Sequence, residues 1–218
     1  KVTGNATYTA TYSETVNTYT ITWVVDGDTT TETYKYGDTP VFKGSTDKAA
    51  DAQYTYTFAG WDPEISKVTG NATYTATYSK TLNKYTITFV DENGTTVLDT
   101  QEVEYGSMPE YAGDTPTKAA TDKYTYTFAG WSPEIVAVTG DATYKAIYSS
   151  TVNTYTVTWK NDNGDVLETD ENVPYGTTPT YNGETPTKAA TAQYTYAFKA
   201  WSPVVSTVTG DVTYTATY

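Results

Sequence analysis

The sequence predicts a mainly β protein made of three tandem small modules of about four strands each, with little helix. Three observations lead there. Trp61, Trp131 and Trp201 recur every 70 residues, inside FAGWDPEI, FAGWSPEI and FKAWSPVV, so one unit has been repeated. The chain carries 23 Tyr and 5 Trp, with Thr throughout, and aromatic and β-branched side chains fit a pleated, half-buried surface. These residues alternate with polar ones at period two, the spacing of a strand with one apolar face.

The middle unit shows each element in order. Tyr85, Ile87 and Phe89 alternate with Thr86 and Thr88 as a first strand. Asp91-Glu92-Asn93-Gly94 follows, and Asn-Gly is a strong hairpin signal, so Val97–Tyr105 reads as the return strand. Pro109 then forces an irregular or extended path. Thr115–Ala120 has room for one helical turn and no more. Tyr124, Tyr126 and Phe128 alternate with Thr125 and Thr127 as a third strand, which Gly130-Trp131-Ser132-Pro133 is expected to break. After Val138-Thr139-Gly140-Asp141, the segment Thr143–Tyr148 is the fourth strand. Trp61, Trp131 and Trp201 are expected to be core plugs, since a unit this small has little surface to bury and no disulfide to help it.

The unit borders follow from the repeats. Y-T-[IV]-T-[WF] starts at Tyr19, Tyr85 and Tyr155, and V-T-G-[ND]-x-T-Y occurs four times, with glycines at 4, 70, 140 and 210. The first interval between units is shorter than the second, with the missing residues expected mainly between Tyr19 and Gly37, in the turn of the first hairpin. We therefore divide the chain into modules 16–79, 80–149 and 150–218. Residues 1–15 carry KVTGNATYTATYS, identical to residues 67–79, and are expected to be the terminal strand of a preceding, truncated repeat. Ser79–Lys84 and Ser149–Thr154 read as short taut connectors, free of Gly and Pro, whose one apolar residue (Leu82 or Val152, like Val16 in the leading segment) docks into the junction. Beads roughly 30 Å across, strung on such connectors, give an elongated rod of about 90 Å.

Composition excludes several kinds of chemistry. With no Cys, no His and only lysines among its 13 basic residues, the chain lacks a thiolate nucleophile, a neutral-pH proton shuttle, thiolate or imidazole metal ligands and the planar Arg fork. A formal net charge of −13 opposes binding to nucleic acid or anionic membrane. No run is long and apolar enough to span a bilayer.

YTITFVDENGTTVLDTQEVEYG, then P-x-x-x-G-D-T-P-T-K, then YTFAGW and VTGDATYKAIY resembles the internalin-type B-repeat family, also called Listeria–Bacteroides repeats. The resemblance covers all three units. It implies a β-grasp-like fold in tandem on secreted or wall-anchored bacterial surface proteins, and it does not imply an enzyme. The third unit departs from it, with Lys199-Ala200-Trp201 in place of Ala-Gly-Trp.

Candidate sites weigh against simpler readings. Asn161–Asp165 is rich in oxygen but lacks the far acidic ligand of an EF-type calcium loop, so it reads as a solvated hairpin turn. Glu64 and Glu134 occupy one place in their units, yet the third has Val204, which argues against a carboxylate pair. The row Thr73, Thr75, Thr77 suggests an ice-binding array, but sheet twist spoils a lattice match. Lys48, Lys118 and Lys188 recur, as do Asn17, Asn83 and Asn153, which raises Lys–Asn isopeptide bonds; no acidic residue recurs at an obvious partnering place to promote them. Asn5 and Asn71 head sequons that read as turn chemistry. We therefore assign no catalytic, cofactor or metal residue.

The expected role is a non-catalytic spacer or stalk of a bacterial cell-surface or secreted protein, extracellular and projecting a distal domain. The alternative is a weak multivalent binding module for glycans or host surface proteins, using exposed tyrosines. Its partners are then neighbouring repeats of the same chain or such ligands, and the chain itself is expected to be a monomer.

Overall fold

A computed structural model describes residues 1–218. Twelve strands make up its regular structure: β1 (Thr18–Val25), β2 (Asp28–Lys35), β3 (Tyr54–Asp62), β4 (Ala72–Leu82), β5 (Lys84–Val90), β6 (Val97–Glu104), β7 (Tyr124–Ser132), β8 (Ala142–Val152), β9 (Thr154–Lys160), β10 (Val166–Pro174), β11 (Ala200–Ser202) and β12 (Val212–Thr217). They form three four-stranded sheets of one plan, ordered β2-β1-β4-β3, β6-β5-β8-β7 and β10-β9-β12-β11. The predicted mainly β fold of three tandem four-stranded modules is the fold observed. In the first sheet β1 pairs antiparallel with β2 and parallel with β4, while β3 pairs antiparallel with β4. This parallel central pair flanked by antiparallel edges suits the β-grasp-like outline. No helix is present, and so none that is long and apolar enough to cross a membrane. By contact density the chain divides into two units: Lys1–Thr86 with Glu102–Ser107 and Ala137–Asp141, and Ile87–Gln101, Met108–Val136 and Ala142–Tyr218.

The hairpin turns explain most of the unequal repeat length: Tyr19 to Tyr36 spans 17 positions where Tyr85 to Tyr105 spans 20, and the one other missing residue lies between Tyr36 and Trp61. Asp26 and Gly27 both have positive φ, at 48° and 92°, and join β1 to β2 with Val25 opposite Asp28. That is the two-residue turn favoured by Asp-Gly. In the second unit the Asp91 amide bonds to the Thr96 carbonyl, so its turn is longer.

Each sheet is apolar on one face. In the first, Ile21 and Trp23 of β1 and Tyr74 of β4 form a buried cluster with Val68, joined by partly buried Phe42, Trp61 and Ile65. The irregular segments between β2 and β3 and between β3 and β4 supply Phe42, Ile65 and Val68, doing the covering a helix would otherwise do. The third sheet repeats this with Val157, Trp159, Val208 and Tyr214. Trp23 lies 4.7 to 5.3 Å, centroid to centroid, from the rings of Phe42, Trp61 and Tyr74. Phe89 and Trp159 hold the same place against Tyr111, Trp131 and Tyr144, and against Tyr181, Trp201 and Tyr214.

Several expectations need correction. The fully buried plug is Trp23, Phe89 or Trp159, because β1, β5 and β9 are central strands. Trp61, Trp131 and Trp201 are only partly buried, because they stand on edge strands. β7 runs through Gly130 instead of breaking there. A register shift between Phe128 and Gly130 absorbs the extra residue, and Gly130 takes φ +126°, open to glycine alone at no cost. Thr115–Ala120 forms no helical turn; Pro116 biases the residue before it to extended backbone, and so short a segment cannot offset helix nucleation.

Residues 1–15 form no strand and are exposed. The identical residues 67–79 enter β4 because they lie between β1 and β3, and the leading segment has no such neighbours. The borders drawn at 79/80 and 149/150 fall inside β4 and β8, since the supposed connectors pair with β3 and β7: Leu82 with Tyr54, Val152 with Tyr124. A single residue, Asn83 or Asn153, separates successive sheets. Val16 and Val152 do not dock; they are 58% and 41% exposed.

Candidate functional site

The most regular constellation outside the cores surrounds these two asparagines. Asn83 follows the last residue of β4 and precedes the first of β5. Its N–H donates to the Gln53 carbonyl at 2.9 Å, and its carbonyl accepts from the Tyr105 N–H at 2.9 Å. One residue thus bonds through its N–H to the edge of one sheet and through its C=O to the next. Its side-chain Nδ2 donates to the carbonyls of Asp51 (2.7 Å) and Ala52 (3.2 Å), while its Oδ1 accepts from Thr55 Oγ1 at 2.8 Å. Asparagine suits the place because its short side chain offers donors and an acceptor together. Tyr85 adds a bond from its hydroxyl to the Ala52 carbonyl at 2.6 Å.

The second junction reproduces the first. Asn153 N–H donates to Lys123 and its carbonyl accepts from Tyr175 N–H, both at 2.9 Å. Its Nδ2 reaches the carbonyls of Thr121 and Asp122, Thr125 donates to its Oδ1, and Tyr155 donates to Asp122. The gripped turn is itself capped. Asp51 Oδ1 accepts from the amides of Gln53 and Tyr54, and its Oδ2 from the Tyr56 hydroxyl at 2.7 Å. Those bonds, that of Tyr56 first, hold the Asp51 carboxyl below its ordinary pKa. In the second unit Thr121 Oγ1 takes the capping role towards the Tyr124 amide.

Ahead of the first sheet Asn17 and Tyr36 repeat the backbone bond that Asn83 makes with Tyr105. Asn17 accepts from the Tyr36 amide at 2.9 Å, and an open hollow is lined by Glu14, Thr15, Val16, Asn17, Tyr19 and Tyr36. Tyr36 is 57% exposed, whereas Tyr105 and Tyr175 are half-buried.

A second recurring group ties the hairpin tip to the irregular crossover. The ammonium of Lys48 pairs with Asp26, that of Lys118 with Glu92 and that of Lys188 with Asp162. Each also lies over tyrosine rings: Lys48 over Tyr56 and Tyr78, Lys118 over Tyr126, Lys188 over Tyr196 and Tyr218. The hydrogen bond to the acid raises all three lysine pKa values. Tyr148 donates to Asp91 at 3.0 Å, and burial first, then that bond, pushes its hydroxyl up to about 12. An acidic partner therefore does recur for these lysines, in the hairpin turn, where unequal turn lengths hid it in the sequence. The lysines face carboxylates, while Asn83 and Asn153 face backbone carbonyls and a threonine hydroxyl.

The remaining candidates stand apart. Glu64, Glu134 and Val204 are exposed, each in its own unit. In the Asn161–Asp165 turn, Asp162 pairs with Lys188, Asp165 accepts from Asn163, and Asn161 accepts from Tyr218; no group of three or more Asp or Glu is placed to hold a metal ion. Thr73, Thr75 and Thr77 line the exposed side of β4. Asn71, Asp141 and Asp211 each accept from a backbone amide at the start of the parallel pairing: Thr20, Thr86 and Thr156, at 2.8 to 2.9 Å. That role was missed from the sequence; its signal was the Asn/Asp alternation in V-T-G-[ND], since those two side chains share the Oδ1 acceptor.

Fold and site together define a tandem array of all-β modules joined through asparagine clamps. Among solved structures the chain is similar to "Streptococcal High Identity Repeats in Tandem (SHIRT) domains 3-4 from cell surface protein", at 17% identity, over 62% of this chain and 99% of that one, with a TM-score of 0.30. No protein-family model matches the chain, and no curated protein matches it.

Proposed function

We propose that the chain is a non-catalytic spacer of a bacterial cell-surface or secreted protein, holding a distal domain away from its anchor, as its resemblance to internalin-type B-repeats implies. The single observation that carries the reading is the one-residue junction: Asn83 and Asn153 leave no slack between sheets and are hydrogen-bonded on both sides. Such a joint favours a string of beads that keeps its direction. The charge of −13 adds solubility and self-repulsion along it. A glycan- or host-protein-binding role needs one aromatic patch repeated in each unit. Tyr36 and Tyr194 are exposed, but their counterparts Tyr105 and Tyr175, and Tyr54 and Tyr124, are half-buried.

Small-angle scattering tests the spacer. A compact 218-residue globule has a radius of gyration of about 17 Å by chain-length scaling, whereas a rod of about 90 Å gives roughly 26 Å. The larger value is expected at infinite dilution; the smaller overturns the proposal.

A further inference from the structure

The strand order shared by the three sheets decides how each responds to tension. In the second module the chain enters through β5, directly after Asn83, and leaves through β8, directly before Asn153. These first and last strands are neighbours in the order β6-β5-β8-β7. They run parallel, with Ile87 on Ala142, Thr88 on Thr143, Phe89 on Tyr144 and Val90 on Lys145. Two parallel strands start at the same end, so the points where the chain enters and leaves lie at opposite ends of the pair. Tension along the chain therefore draws β5 and β8 past each other lengthwise. The bonds of a parallel ladder are evenly spaced, so they share that load. The first and third modules repeat the arrangement with four parallel pairs each, residues 21–24 on 72–75 and 157–160 on 212–215.

Other features of the sheet add to this. β6 and β7 each move with the central strand they are paired to, so the row that tension must break is the central one. Asp141 lengthens that row by a bond, since its Oδ1 accepts from the Thr86 amide at 2.8 Å ahead of the first ladder pair. Asn71 does the same for Thr20, and Asp211 for Thr156. Ile87, Phe89, Tyr144 and Ala146 are buried and close one face of the row to water, which would otherwise replace each bond as it stretches. The one-residue junction at Asn83 passes tension straight into β5, where a flexible linker would first extend.

We infer that each module bears tension along the chain: its first and last strands form a shear joint, and the side chain of Asn71, Asp141 or Asp211 is part of that joint. Pulling along the chain meets the whole row of bonds at once. Pulling across the pair meets one bond at a time and opens it at lower force. The resistance is an unfolding rate under force. It belongs to each module by itself, so it stands or falls separately from the spacer reading that scattering tests.

Optical-tweezers pulling on the second module within the full chain tests this. Because the chain has no cysteine, introduced cysteines alone set where the handles attach. Lys84→Cys with Thr151→Cys loads the module where the chain enters and leaves. Lys84→Cys with Thr139→Cys holds the same two strands at neighbouring ends. These positions are exposed, so both attachments leave the core intact. The expected unfolding force is severalfold higher for the first attachment than for the second. With the first attachment, Asp141→Ala is expected to speed unfolding at constant force roughly two- to tenfold. Asp141→Asn keeps the acceptor, as Asn71 does, and is expected to restore the original rate. Equal unfolding forces for the two attachments overturn the proposal, and so does an Asp141→Ala chain that unfolds no faster. The comparison of attachments uses an unaltered Asp141, so it decides the matter even where Asp141→Ala fails to fold.

Discussion

Replacing Asn83 by alanine should loosen one junction and leave both adjoining sheets folded. The substitution keeps the backbone bonds to Gln53 and from Tyr105 and removes three side-chain bonds, to Asp51, to Ala52 and from Thr55. A net bond contributes about 0.5 to 1.5 kcal/mol. These three lie at a partly open surface where water can replace them, so the lower end applies, for a sum of about 1 to 2 kcal/mol. That corresponds to a factor of roughly 5 to 30 in a local opening equilibrium. Native-state hydrogen exchange reads it at the residue-83 and Tyr105 amides, with the Ile21 and Phe89 amides of the two cores as controls. Expected is faster exchange by that factor at the first pair and no change at the controls. Unchanged exchange at residue 83 would refute the clamp. A parallel rise at all four sites would instead make Asn83 a support of the fold.

Two further outcomes follow from comparing the copies. Since the Asp51 carboxyl is held below its ordinary pKa by the Tyr56 hydroxyl and the Tyr54 amide, its contribution is complete above the ordinary carboxylate pKa and is lost as pH falls through the depressed one. Acid should therefore lower protection, measured relative to the intrinsic exchange rate at each pH, at the residue-83 amide but not at residue 153, whose turn is capped by Thr121, and Asp51→Thr should remove the difference. Trp23 Nε1 is buried without a partner, whereas Trp159 Nε1 donates to Asp170 at 2.9 Å; Trp159→Phe should thus destabilise its sheet by about 1 kcal/mol more than Trp23→Phe does, read from exchange at the Val157 and Ile21 amides.

Much of one sheet could be read from alternation. Tyr85, Ile87 and Phe89 share a phase, and Ile87 and Phe89 are indeed fully buried; Asn93-Gly94 marked the hairpin. What failed required knowing which strands are neighbours. Gly130 looked like a break because a bulge and a strand end share the same residue. Trp61 looked like the plug because its indole is conspicuous, yet centrality in the sheet decides burial, and that belongs to β1. Lys80, Thr81 and Leu82 looked like a connector because nothing in their composition says that β3 lies beside them. The clamp was hidden for the same reason: Asn83 and Asn153 were visible as a recurrence, but their partners lie some thirty residues back, on the far side of a sheet edge.

The junctions use hydrogen bonds instead of the apolar docking expected of Val16 and Val152, and the cores explain why. The clusters around Trp23 and Trp159 are assembled entirely from their own units, so the crossover segments have already closed the apolar face. Solenoids stack repeats to share a core and therefore fold as coupled neighbours; here there is no core left to share. What remains at each junction is a short polar side chain bonded to backbone carbonyls. Its strength, of the order of 1 to 2 kcal/mol, is well below the 3 to 5 kcal/mol that removing one core aromatic costs. Damage to a core should consequently stay within its own unit, and damage to a clamp should change how a unit is held while leaving it folded.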